Sequence, residues 1–135
     1  MEANKIRVLL ADDHAVVRAG LRLIIDSQPD MRVVGEASNG LEALELLKLN
    51  PPVDCIVCDL RMPVLGGESL FEQLETLMPN MASRFVFVTG DYTDPETRAF
   101  LERSGQPVVA KPYEVAELLG AVATILRRVG AIEPA

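Results

Sequence analysis

Five short apolar runs, each followed by a stretch with helical periodicity, constrain this chain more than any other feature. The runs are Ile6–Ala11 and residues 32–37, 53–58, 84–89 and 107–110. Runs this short, rich in β-branched residues and apolar on both faces, are the pattern of strands buried in a parallel sheet. The second run is more mixed and reads as lying nearer a sheet edge, and the third is interrupted only by Asp54. Between them lie helical stripes. Val16, Val17, Leu21, Ile24 and Ile25 form the first, stopped by Pro29. Leu41, Leu44 and Leu47 follow an Asn39–Glu42 capping pair, and Pro51-Pro52 closes that helix. Leu70, Phe71, Leu74, Leu77 and Met78 form the third stripe. Thr93-Asp94-Pro95-Glu96 opens a fourth helix that ends near Gly105, and Val115, Leu118, Leu119, Val122, Ile125 and Leu126 mark the fifth. No gap is long enough for a linker and no internal repeat is present. The expectation is a single domain over residues 1–135, with its core at about 5–128. It is of the α/β class, a three-layer sandwich with a five-stranded parallel sheet and five helices.

Composition narrows the function classes. Apolar residues at 49% and charged residues at 24% exclude a disordered chain. Thirteen Lys+Arg against 20 Asp+Glu give a net charge of -7, which repels phosphate backbones and argues against direct nucleic-acid binding. Two cysteines are too few for a disulfide scaffold. Cys55 and Cys58 spell C-x-x-C, but within a strand such residues face opposite sides, so both read as small buried hydrophobes. No apolar run approaches the roughly 20 residues of a membrane span, and the first residues lack the apolar stretch of a signal peptide. The expected location is the cytoplasm, with no membrane partner.

Ligands of open parallel sheets bind at the carboxyl ends of the strands. Here those ends are polar: Asp12-Asp13 after the first run, Asp59 after the third, Thr89 at the fourth and Lys111-Pro112 after the fifth. Clustered carboxylates raise one another's pKa unless a cation sits among them. Mg²⁺ suits such a set, binding one or two carboxylates together with waters and phosphate oxygens. Lys111 and Thr89 supply a positive charge and a hydroxyl for the same oxygens. The set points to metal-assisted phosphoryl transfer onto a carboxylate.

The same residues, with Asp59-Leu60-Arg61-Met62-Pro63, resemble a receiver domain of a bacterial two-component response regulator, over about residues 5–128. The resemblance implies a flavodoxin-like sheet of order 2-1-3-4-5. It implies that Asp59 accepts a phosphoryl group from a histidine kinase or histidine phosphotransfer domain. It implies Mg²⁺ held by Asp13 and Asp59, by Asp12 partly through water, and by the backbone carbonyl of Arg61. Thr89 and Lys111 would hold the phosphoryl oxygens. Arg61, Gly90, Asp91 and Pro112 would flank the site, and a homodimer is a further partner state. On this reading the chain is a signalling module and not an enzyme with an external substrate.

Some residues depart from the family pattern. Val108 stands where the resemblance implies an aromatic switch residue, a role for which Tyr92 is the candidate substitute. Tyr113 reads as a packing residue, and His14, the sole histidine, as a first-turn residue near the site. Asp12-Asp13-His14 with Val17 to Leu21, and Val33 to Ala37 with Asn39-Gly40, resemble regulators with a helix-turn-helix, whereas Phe87 to Asp91, Arg98 to Leu101 and Gly105 to Val108 resemble receivers of hybrid kinases. A natural mosaic, an engineered fusion and a divergent member all fit. After Arg128 only seven residues follow, too few for a DNA-binding segment. Two other functions compete. A phosphatase with an Asp nucleophile normally needs a second Asp two residues on, where Arg61 stands here. A phosphorylation-independent interaction domain would not need Asp59 or Lys111.

Overall fold

In the computed structural model, which describes residues 5–128 and 130, five strands form one parallel sheet of order β2-β1-β3-β4-β5. The strands are β1 Ile6–Ala11, β2 Met31–Ala37, β3 Cys55–Asp59, β4 Phe85–Thr89 and β5 Val108–Ala110. The mixed run is indeed an edge strand. The remaining ends of the 1–135 span lie outside the described residues. The helices are α1 Ala15–Asp26, α2 Gly40–Lys48, α3 Gly67–Leu77, α4 Pro79–Ala82, α5 Pro95–Ser104 and α6 Val115–Arg128.

Side-chain alternation divides the core into two layers. Leu9, Ala11, Ile56, Cys58, Phe85 and Phe87 face one layer, completed by side chains from α2, α3, α4 and α5. Val8, Leu10, Cys55, Val57, Val86 and Val88 face the other, completed by α1 and α6. The central strands β3 and β4 are buried at every position, as parallel strands covered on both faces must be. The first layer holds all four phenylalanines. Phe85 and Phe87 stack at 5.0 Å, and Phe71 and Phe100 meet them edge-on at 5.5–5.8 Å.

Local chemistry sets the element ends. Asn39 caps α2 by accepting from the Glu42 N–H at 2.9 Å, while the Glu42 carboxylate accepts from the Ser38 N–H at 2.7 Å. Asp94 caps α5, Pro95 opens it, and Gly105 closes it at φ 69°, a left-handed conformation that glycine adopts without strain.

Several positions differ from the sequence expectation. The third helical stretch is broken by a short extra turn, α4. Pro79 disfavours helical geometry at Met78, whose φ is -147°, and then starts a new turn. Leu41 and Val16 are exposed. The buried stripe of α2 is Gly40, Ala43, Leu44 and Leu47, and that of α1 centres on Leu21 and Ile25. Strand β3 begins at Cys55 and not at residue 53. Asp54 is held at its entrance by the Arg7 backbone N–H at 2.9 Å and the Arg7 guanidinium at 3.1 and 3.2 Å. Cys55 and Cys58 lie in opposite layers, and burial pushes both thiols up. Among the described residues no helix is long and apolar enough to cross a membrane.

Candidate functional site

The chain departs from β1 towards β2 on one side and returns to β3 on the other, so the carboxyl ends of β1 and β3 flank a topological switch point. Both ends carry acids. Asp12 continues β1, its N–H donating to the Ala37 carbonyl at 3.0 Å, and it is 1% exposed. Its Oδ1 accepts from the His14 N–H at 2.8 Å. Its Oδ2 has no hydrogen-bond partner among the described residues, and neither has Asp13 Oδ1. Buried carboxylate oxygens left without donors are costly, and a cation is the partner that satisfies them. The donor set therefore fits a hard divalent metal. Asp12, Asp13, His14 and Asp59 can each present one ligand atom within 4.8 Å of the other three.

Asp59 ends β3 and is 6% exposed. The backbone of the next residue, Leu60, is fixed from two directions. The Leu60 N–H donates to the Val88 carbonyl at 3.1 Å, and the Gly67 N–H donates to the Leu60 carbonyl at 2.9 Å. A Cβ on Gly67 would sit 2.9 Å from the Asp59 carbonyl oxygen and 3.1 Å from Leu60 Cα, so only glycine lets α3 start this close to the strand end. Asp59 Oδ2 lies 3.3 Å from Lys111 Nζ, and Oδ1 accepts from the Arg61 N–H at 3.4 Å. Burial pushes the Asp59 carboxyl above the ordinary carboxylate range. The Lys111 ammonium opposes that rise and the Asp12 carboxylate adds to it.

The other strand ends complete the rim. Thr89, 1% exposed, accepts at Oγ1 from the Asp91 N–H at 3.0 Å. Its carbonyl accepts from the Lys111 N–H at 2.8 Å, which ties β4 to the residue after β5. The Lys111–Pro112 peptide is cis. Gly90 and Asp91 follow Thr89, and the Asp91 carboxylate pairs with the Arg61 guanidinium across the rim. Both partners are well exposed, Arg61 at 68% and Asp91 at 41% of side-chain surface.

The structure thus brings Asp12, Asp13, Asp59 and Lys111 together and places Thr89, Arg61 and Asp91 on the same rim. Sequence reasoning left His14 as a nearby first-turn residue. It is the N-cap of α1, and its Nδ1 lies 3.2 Å from Asp13, 3.4 Å from Asp12 and 4.0 Å from Asp59. Its position next to the acid pair was the available signal. Tyr113 packs half-buried on the α1/α6 layer, and burial and the Asp12 charge hold its hydroxyl above the usual range. Val108 packs against the aromatic layer. Tyr92 is exposed, with the Arg98 guanidinium 5.4 Å from its ring centroid.

Residues 8–123 match the family model of the response regulator receiver domain. A protein-glutamate methylesterase/protein-glutamine glutaminase of Thermotoga maritima is 47% identical over 90 residues, 66% of this chain and 25% of that protein. The nitrate/nitrite response regulator NarL of Escherichia coli K12 is 33% identical over 115 residues, 85% of this chain and 52% of that protein. The chain therefore spans between a quarter and about half of these relatives. Among solved structures, the response regulator domain of Thermotoga maritima CheB matches at a TM-score of 0.71 and 33% identity, covering 96% of this chain and 99% of that one. A LuxR-family response regulator from Aurantimonas matches at a TM-score of 0.81 and 30% identity, covering 92% and 86%.

Proposed function

The chain belongs to the response regulator receiver domain family, and on that premise we propose that it is a phosphoacceptor module whose nucleophile is Asp59. The observation that carries this reading is a nearly buried carboxylate at the end of β3, 3.3 Å from an ammonium and next to carboxylate oxygens without donors. A carboxylate oxygen of Asp59 attacks the phosphorus of a phosphohistidine. The new O–P bond forms as the P–N bond breaks, and the imidazole of the donor leaves. Lys111 and Thr89 hold the phosphoryl oxygens. Asp12, Asp13 and Asp59, with the Arg61 carbonyl, would hold Mg²⁺, which supplies charge neutralisation in the transition state.

The partner is a histidine kinase or a histidine phosphotransfer domain, met in the cytoplasm. The output is an altered surface, through a homodimer or another protein. The chain carries no catalytic activity towards an external substrate. Arg61 supports this, because its guanidinium is engaged with Asp91 and no acid stands there to protonate a leaving group. The test is incubation with acetyl phosphate and Mg²⁺ followed by intact mass. One phosphoryl increment is expected in the parent and none in Asp59→Asn. Stoichiometric labelling of Asp59→Asn at a site remote from the rim would overturn the assignment.

A further inference from the structure

Nothing in the receiver reading uses the imidazole of His14. It makes no capping hydrogen bond, although His14 occupies the N-cap position of α1. Its backbone is anchored at both ends, by the 2.8 Å N–H bond to Asp12 Oδ1 and by its carbonyl, which accepts from the Arg18 N–H at 2.8 Å. The ring leans over the acids from the solvent side, 62% exposed, with Nδ1 within 4.0 Å of all three carboxylates.

From this geometry we infer that His14 is a nitrogen ligand of the metal site, and that it gives the site a preference for a first-row transition-metal ion over Mg²⁺. The inference rests on the metal reading above. Neighbouring ligands of one ion at bond lengths of about 2.1 Å are separated by about 3.0 Å in an octahedron and about 3.4 Å in a tetrahedron, and opposite octahedral ligands by about 4.2 Å. The 3.2 and 3.4 Å separations from Asp13 and Asp12 fall in the first range, and the 4.0 Å separation from Asp59 is near the second. The independent sign of a ligand is Asp12, buried at 1% exposure with Oδ2 unpartnered. Imidazole nitrogen adds little for Mg²⁺, which takes oxygen ligands, but it is a favoured donor for Co²⁺, Ni²⁺ and Zn²⁺.

The test uses tag-free protein, because His14 is then the only histidine and any histidine signal is its own. Calorimetric titration with Co²⁺ and with Mg²⁺ at one fixed pH is compared for the parent, His14→Ala and Asp13→Asn. Proton NMR of the Co²⁺ form is searched for a hyperfine-shifted, exchangeable imidazole N–H. The expected result is Co²⁺ binding weakened about tenfold or more in His14→Ala while Mg²⁺ binding changes less than about threefold, with the shifted N–H lost in that variant. Asp13→Asn is expected to weaken both ions. Equal losses for the two ions in His14→Ala, unchanged Co²⁺ affinity, or no shifted N–H in the parent would overturn the nitrogen ligand while leaving the Mg²⁺ site standing. Failure of the parent to bind either ion would overturn both.

Discussion

Arg61 and Asp91 set an upper bound on how strongly the rim can control the life of an aspartyl phosphate. Their ion pair spans the rim beside the acceptor, and both side chains are largely exposed. A well-formed exposed pair contributes about 0.5–1 kcal/mol. A closed state favoured by about 1 kcal/mol outweighs the open state by about fivefold at room temperature, and one favoured by about 0.5 kcal/mol by about twofold. If water attacks only when the guanidinium has swung away, hydrolysis runs at between about a third and a sixth of its ungated rate. Arg61→Ala is therefore expected to shorten the phosphoryl lifetime by about threefold to sixfold and no further. The Arg61 N–H to Asp59 Oδ1 bond survives this substitution, so the acceptor stays in place. Asp91→Ala frees the guanidinium without removing it and should shorten the lifetime less. The double variant should match Arg61→Ala, since both act on one contact. Added salt should accelerate loss in the parent and leave Arg61→Ala unaffected. The assay is the decay of acetyl-phosphate-labelled protein after donor removal, read by intact mass. Unchanged lifetimes in both single variants, or effects that multiply in the double, would refute the gate.

Four further outcomes follow from the same structure. Asp59 is raised in the fold, so the folded protein holds a proton more readily than the unfolded chain. Its unfavourable contribution is complete above the raised folded pKa and fades as pH falls towards the ordinary carboxylate value. Metal-free Asp59→Asn should thus melt higher than the parent at pH 7, with the gap narrowing on acidification in scanning calorimetry. Asp54 is the opposite case: burial works against its charge, but the Arg7 hydrogen bonds and the Arg84 charge outweigh it and hold the carboxyl low. Its contribution is present above the ordinary carboxylate value and lost as pH falls through the lower folded one. Asp54→Asn should cost about 1–2 kcal/mol at neutral pH in urea unfolding, less than a fully buried pair because Arg7 is partly in water. Lys111→Ala should keep Mg²⁺ binding but lose most of the amide-exchange change induced by beryllofluoride; a full response would remove Lys111 from its assigned role. Phe87→Ala should destabilise by about 3–5 kcal/mol, because three rings lose their shared neighbour.

The strand ends were legible because each run of apolar residues stops at a polar one, and a parallel sheet collects those stops on one edge. Asp59, Asp12 and Lys111 are far apart in sequence, yet only the sheet order is needed to bring them together. Details that depend on three-dimensional partners were not legible. The start of β3 is set by Arg7, 47 positions from Asp54, and no local propensity encodes that contact. Leu41 looked like core because the helical stripe could be drawn from either of two adjacent phases, and Gly40, which carries no apolar side chain, hid the true one. The break between α3 and α4 is marked in the sequence by Pro79, but Met78 continues the apolar stripe up to it and masks the boundary. His14 was placed near the site, but its ring direction is set by the chain's exit from β1 and not by spacing.

The confinement of every phenylalanine to one side of the sheet has a spectroscopic consequence. The chain contains no tryptophan, so it offers no indole fluorescence as a reporter. Ring currents replace it. Phe85, Phe87 and Thr89 alternate onto the same face of β4, so the hydroxyl proposed to hold a phosphoryl oxygen is preceded, along the strand, by two stacked rings. The methyl groups of Leu70, Leu74 and Leu101 share that layer and should resonate away from random-coil positions. The buried aliphatic residues behind the sheet share their layer with no phenylalanine, so those away from the Tyr113 ring should stay clustered. A small turn of Thr89 would then be visible as methyl shifts mainly on the phenylalanine side, giving a label-free test of the role proposed for it.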